Sequence, residues 1–116
     1  MLPNRMNLNR TTEEQLKKLK QFTGISPNVS SRIAFYRSIE SDFRYSVESA
    51  KKLDGSLVLD KVTWLGDTQL VTELTLKLTY PELDEKEKMA AWAAHVEDGI
   101  ASLRNHKNFV HLALAI

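Results

Sequence analysis

The chain has 116 residues, 42% of them hydrophobic and 27% charged, and it contains no cysteine. That size suits one domain with its own core. The missing thiols exclude disulfides, thiolate catalysis and cysteine-ligated metal clusters. The net charge of +1 hides an asymmetry: residues 1–53 hold ten Lys/Arg against five Asp/Glu, a net of +5, while residues 54–116 carry −4. A basic front half is the expected footprint of a polyanion-binding protein. The competing reading is a lysine face that only keeps the protein soluble.

Residues 5–10, RMNLNR, alternate Met6 and Leu8 against Arg5, Asn7 and Asn9. Period two predicts a strand with one apolar face. A short strand is not stable alone, so it needs a partner, most simply from a second copy of the chain. Thr11 or Thr12 can cap the next helix, with Glu14 completing a capping box. Leu16, Leu19 and Phe22 then mark its apolar line, with Lys17, Lys18 and Lys20 off it. Gly24 suits the helix end, and Ser26-Pro27 opens a second helix running to about Tyr45. Its predicted stripe is Val29, Ile33, Tyr36, Ile39 and Phe43. Glu40 falls within that stripe, flanked by Arg37 and Arg44. An unpaired charge there would cost several kcal/mol, which predicts a structural ion-pair network at that point.

Residues 46–55 are polar and end in the turn signal Asp54-Gly55; residues 57–65 are mixed apolar. Residues 68–80 fit either period. Asp67 or Thr68 before the segment and Pro81 after it favour a helix with Leu70, Leu74 and Leu78 in line. The clearest helix runs from Asp84 to about Asn105, with Asp84 as cap, Glu85 and Glu87 at its positive end, and Met89, Trp92, Val96, Ile100 and Leu103 as its seam. The apolar residues 109–116 are too short to span a bilayer and are expected to dock on the core or on a neighbouring subunit. With no transmembrane run and no signal-peptide core, a cytoplasmic protein without membrane attachment is expected.

The residues offer little to catalysis. His95, His106 and His111 lack metal-ligand spacing, and His95 reads as a satisfied structural histidine. Glu97 and Asp98 are adjacent, and adjacent helical residues do not face one another. The four glycines are isolated, so no phosphate loop is present. No cofactor, no metal and no catalytic residue is expected.

Strand, helix, tight turn, helix is the order of ribbon-helix-helix DNA-binding modules, in which a two-stranded ribbon enters the major groove. On that reading Arg5, Asn7 and Asn9 would meet base edges, and the N–H groups near Ser26–Val29 would hold a phosphate. Lys17, Lys18, Lys20 and Arg10 would make backbone contacts. The fold class expected is mainly α: a ribbon-helix-helix-like half (residues 1–45), a connecting segment (46–66) and a helical half (67–108).

Five blocks, MLPNR (1–5), EQLKKLK (14–20), RIAFYRS (32–38), KLDGSLVLD (52–60) and AAHVEDGI (93–100), resemble the DndE family of DNA sulfur-modification proteins. The resemblance spans nearly the whole chain. It implies a role in bacterial DNA phosphorothioation, where sulfur replaces a non-bridging phosphate oxygen. A cysteine desulfurase, an iron–sulfur sulfurtransferase-like protein and an ATPase supply that chemistry. The resemblance further implies a homo-oligomer, a tetramer, that works with those proteins on DNA. The matching surface lysines are Lys17, Lys18 and Lys20, with Lys51 and Lys52 as a second cluster. The expectation is therefore a non-catalytic DNA-binding subunit that holds duplex DNA, nicked or distorted, by its phosphates. A ribbon-helix-helix regulator, or an assembly scaffold that touches no DNA, are the alternatives.

Overall fold

The computed structural model describes residues 1–103. The predicted tail 109–116, His106, His111 and the last residues of the final helix lie outside them. Strand β1 (Arg5–Met6) leads into helix α1 (Arg10–Thr23) and, after a turn, helix α2 (Pro27–Glu40). A 3-10 turn at Val47–Ser49 precedes β2 (Leu59–Asp60), the short helix α3 (Lys61–Leu65), α4 (Gln69–Thr79) and the long α5 (Glu85–Leu103).

The strand finds its partner within the chain. β1 pairs antiparallel with β2, Arg5 opposite Asp60 and Met6 opposite Leu59. Met6 and Leu59 point into the core, and Arg5 and Asp60 face outward. The mixed apolar stretch 57–65 thus supplies both this second strand and α3. No second copy is needed to complete the ribbon.

Helix α1 starts earlier than the threonines suggested. Asn9 is its cap, its side-chain oxygen accepting the Thr12 N–H at 2.8 Å and so satisfying a donor the helix leaves open. Glu13 rather than Glu14 is the structural glutamate: it is buried, and its carboxylate accepts the Ser56 and Leu57 N–H groups, both at 3.1 Å. Gly55 must be glycine here, because a Cβ would run into the Glu13 carboxylate and the Leu8 carbonyl. Gly24 ends the helix as expected, at φ 75°.

Helix α2 is shorter than predicted and buries a different face. It stops at Glu40, where Ser41 Oγ donates to the Ser38 carbonyl and accepts the Phe43 N–H, pulling the chain out of helical geometry. Its buried residues are Ser30, Ser31, Ala34, Phe35 and Ser38, while Ile33, Tyr36 and Ile39 are half-buried and Val29 is exposed. Glu40 is exposed at the helix end and carries no burial cost. Arg44 does not reach across to it but donates to the carbonyls of Ser41 and Phe43, at 3.1 and 2.6 Å.

The small residues on α2 allow α5 to approach closely. Gly99 sits directly against the Ala34 backbone, and a Cβ at Gly99 would overlap the Ala34 carbonyl oxygen. Around this crossing pack Phe35, Trp92, Val96, Ile100, Leu16 and Leu19, all nearly inaccessible. Asp84 and Glu87 form a reciprocal capping box at the start of α5.

The N-terminus is tied down by a buried ion pair. Lys61 Nζ lies 3.4 Å from Glu73 Oε2 and donates to the Leu2 carbonyl at 2.7 Å, while the Leu2 N–H donates to the same Glu73 oxygen at 2.7 Å. Burial alone would raise the Glu73 pKa. The Leu2 N–H and the Lys61 charge overcome that and hold it below the usual carboxylate value.

Two substitutions probe this architecture by urea unfolding. Gly99→Ala should destabilise the protein by roughly 2–3 kcal/mol, as overpacking forces α2 and α5 apart. Glu73→Gln leaves the Lys61 ammonium buried without its counter-charge and should cost about 3–5 kcal/mol.

Candidate nucleic-acid interface

Helix α1 carries the cations. Its inner face, Thr12, Glu13, Leu16 and Leu19, is buried, which turns Arg10, Glu14, Lys17, Lys18, Lys20 and Gln21 outward. At 100° per residue, Arg10, Glu14, Lys17, Lys18 and Gln21 share one outer face and Lys20 flanks it. The side chains of Lys17, Lys18 and Lys20 make no hydrogen bond or ion pair among the described residues.

The connecting loop adds to the start of this face. The Arg10 N–H donates to Asp54 Oδ1 at 2.9 Å. That bond, reinforced by the nearby Arg10 and Lys52 charges, holds the exposed Asp54 carboxyl below its ordinary pKa. The charges of Lys52 and Arg10 are thus both felt at Asp54, near the helix start. Lys51 is occupied differently: its Nζ lies 3.1 Å from Glu97 Oε2, and Glu97 also accepts the Asn9 amide. This pair borders a groove of about 450 Å³ between α1 and α5, where Thr12, Phe43, Tyr45 and Asp98 also contribute.

The structure separates the predicted residues into two groups. Lys17, Lys18, Lys20, Arg10 and Lys52 are exposed on and beside α1. Arg5 lies apart on β1, across from the acidic Asp60, and Lys51 is paired. Asn7 and Asn9, expected to face base edges, are structural: the Asn7 amide donates to the Leu57 carbonyl at 3.3 Å, and Asn9 caps α1. At the start of α2, Ser26 makes no side-chain capping bond. Other basic residues serve the fold. Arg32 donates to the carbonyls of Trp64 and Thr63, at 2.8 and 2.9 Å, and Arg37 bonds Ser102 Oγ at 3.0 Å.

A polar cluster missed in the sequence sits between α2 and α5. Ser38 Oγ donates to Asp98 Oδ2 at 2.8 Å and lies 2.8 Å from His95 Nδ1. His95 Nε2 lies 2.6 Å from Tyr80 Oη, which accepts the Tyr45 N–H at 2.7 Å. The proton inventory sets the tautomer. A serine hydroxyl has one proton, already given to Asp98, so His95 Nδ1–H must donate to Ser38, and Nε2 must accept from Tyr80. Serine, histidine and aspartate thus meet in the wrong order for an activated nucleophile, because the serine stands between the other two and is buried. Two helices, a loop and the residue ending α4 are instead tied to one imidazole, as a structural reading of His95 requires. Burial, helped by the Arg44 charge, lowers the His95 pKa to about 4.

Among the described residues no His, Asp and Glu group has the arrangement of a metal site, and no helix is long and apolar enough to cross a membrane.

The His95 network makes stability depend on pH. Between pH 6.5 and about 4 the unfolded chain takes up a proton at residue 95 that the native chain refuses. Stability should therefore rise with pH across that window and be lost as pH falls through it, by about 3 kcal/mol in full. Unfolding curves from pH 4 to 7 should show this slope, and His95→Gln should flatten it.

Residues 5–111 match the family described as DNA sulphur modification protein DndE. The fold is similar to the crystal structure of DndE from Escherichia coli B7A, described as involved in DNA phosphorothioation modification: TM-score 0.87 and 67% identity over 90% of this chain and 99% of that one. It is also similar to a DndE mutant described as involved in DNA phosphorothioation, with TM-score 0.83 and 64% identity over 88% of this chain and 98% of that one. No curated protein sequence matches significantly. With a family match across most of its length and solved relatives at this identity, the chain belongs to the DndE family and is a component of the DNA phosphorothioation machinery.

Proposed function

We propose that this protein is the non-catalytic DNA-binding subunit of that machinery, a single DndE-like domain acting as a homotetramer on duplex DNA. The observation that carries the proposal is the outer face of α1, where Lys17 and Lys18 stand with Arg10, flanked by Lys20 and by Lys52 from the loop. Their charges are displayed in water, and those of Lys17, Lys18 and Lys20 are not spent on neighbours. Cations so displayed bind phosphates by counterion release, without reading sequence. The chain contains no cysteine to carry sulfur as a persulfide. The sulfur transfer and nucleotide chemistry fall to partner proteins, a cysteine desulfurase, an iron–sulfur sulfurtransferase-like protein and an ATPase. This subunit holds the backbone while an oxygen is exchanged, including where the duplex is nicked or distorted.

The ribbon-helix-helix regulator loses support from the pairing of β1 with β2 and from the structural roles of Asn7 and Asn9. Among the seven candidate positions, Lys51 and Arg5 are the weaker contributors. Lys51 would have to leave Glu97, and Arg5 faces Asp60.

Mobility shifts over a salt series test the reading. Unrelated duplexes should bind alike, with log K falling steeply as log salt rises, and each lysine removed from a phosphate contact should reduce that slope by about one. Replacing Lys17, Lys18 and Lys20 together by Glu should abolish binding and leave the fold intact, whereas Lys51→Gln should change affinity little. Preference for one palindrome would favour the regulator, and absence of binding at low salt would favour the scaffold.

A further inference from the structure

The groove between α1 and α5 has the size and lining of a site for one flat, hydrogen-bonding ligand. Its volume of about 450 Å³ lies within the range of small-molecule sites. Ala90, Ala94 and Ala101 share one face of α5 and leave that wall low, and Phe43 and Tyr45 add two half-buried rings from the loop after α2. Small side chains beside aromatic rings suit a planar π system. Glu97 and Asp98 also line the groove, and each spends one oxygen on the fold: Glu97 Oε2 on Lys51 and Asn9, Asp98 Oδ2 on Ser38. Their second oxygens, Oε1 and Oδ1, accept no hydrogen bond among the described residues. Thr12, 1% exposed, lines the same groove, and its hydroxyl has no partner there. Buried polar groups are normally satisfied, so this one points to a group the chain does not supply.

We propose that this groove takes one unpaired nucleobase, a guanine, turned out of the strand that α1 holds. The inference rests on the DNA-binding reading above and deepens it. Position argues for a nucleotide. Asn9 and Thr11 line the groove on either side of the exposed Arg10. Lys18, seven residues after Thr11, falls on nearly the same line of the helix, about 10 Å further on. A base tied through its sugar to a phosphate on this face can therefore reach the groove. Bases turned out of a helix are held by stacking on aromatic and apolar side chains and by hydrogen bonds to their Watson–Crick edge. The carboxylate selects the base, because it only accepts hydrogen bonds. Guanine presents N1–H and N2–H side by side, and one carboxylate accepts both. Adenine and cytosine set a ring-nitrogen lone pair beside the amino group, and thymine flanks its one N–H with two carbonyl oxygens. Each of these would turn a lone pair toward a negative oxygen. Asp98 is the residue assigned to the guanine edge, because the Glu97 charge is matched by Lys51. The cations at the start of α1 oppose a cationic occupant.

Mobility shifts of the full chain on duplexes that carry one bulged base provide the test. A bulged guanine should raise affinity about tenfold over the fully paired duplex. Bulged adenine, cytosine and thymine should gain far less, and bulged hypoxanthine, which lacks only the 2-amino group, should bind several-fold more weakly than guanine. Ala94→Phe, which fills the groove, should erase the guanine gain and leave binding to the paired duplex unchanged, with a cooperative melt showing that the variant is folded. Asp98→Asn should lower the guanine gain and narrow the gap between guanine and hypoxanthine. If paired and bulged duplexes bind alike, the base site is wrong and the DNA-binding reading survives. An equal gain for every bulged base reports a preference for bent DNA and also overturns the site. A guanine gain that survives Ala94→Phe overturns the groove as its location. If no duplex binds at low salt, the DNA-binding reading fails and this inference fails with it. Should Ala94→Phe fail to fold, the base series on the wild type decides alone.

Discussion

Helices α2 and α5 approach so closely at Gly99 that the Ala34 carbonyl occupies the space where a side chain would begin. That proximity brings Ser38 within hydrogen-bond reach of both His95 and Asp98 and seats Phe35 beside the imidazole, their ring centroids 5.8 Å apart. From His95 the linkage continues through Tyr80, where α4 ends, to the Tyr45 backbone in the loop after α2. A buried polar network of this kind specifies one arrangement of its helices, since any shift leaves hydrogen-bonding groups unpaired in a low-dielectric interior.

With α5 fixed, the N-terminal segment has a surface to close on. Asn9 touches Glu97 of α5 while capping α1, so the start of the cationic helix is set by the core crossing. Glu13 then draws in residues 55–57, and Lys61 with Glu73 holds Leu2. A consistent division of labour among charges emerges. Glu13, Lys61, Glu73 and Arg32 serve the fold, while the cations on the outer face of α1 remain in water. Charges that hold a fold are poor candidates for a mobile polyanion, because binding it would break bonds the fold needs.

The two exposed faces differ in chemistry as well as position. The outer face of α1 is cationic and that of α4 is aliphatic. Carrying them on separate helices keeps the cationic face clear of the aliphatic one.

Much of this was legible from residues alone. The period of residues 10–23, the glycine at 24, the proline at 27 and the Asp84–Glu87 box specify helices because caps and spacing act locally. The lysines of α1 were legible as a face for the same reason, and the absence of cysteine bounded the chemistry outright. What a stripe packs against is not a local property. Leu70, Leu74 and Leu78 read as one stripe but face outward, and Ala34 and Ser38, off the stripe predicted for α2, line its close approach to α5. Asn7 and Asn9 read as base contacts until Leu57 and Glu97, far along the chain, came to meet them. The sequence by itself determined the existence of the four longer helices, the sign of charge on α1 and the family. Only the tertiary structure decided which polar groups are consumed in holding the fold, because their partners lie tens of residues away and are chosen by how closely α2 and α5 pack.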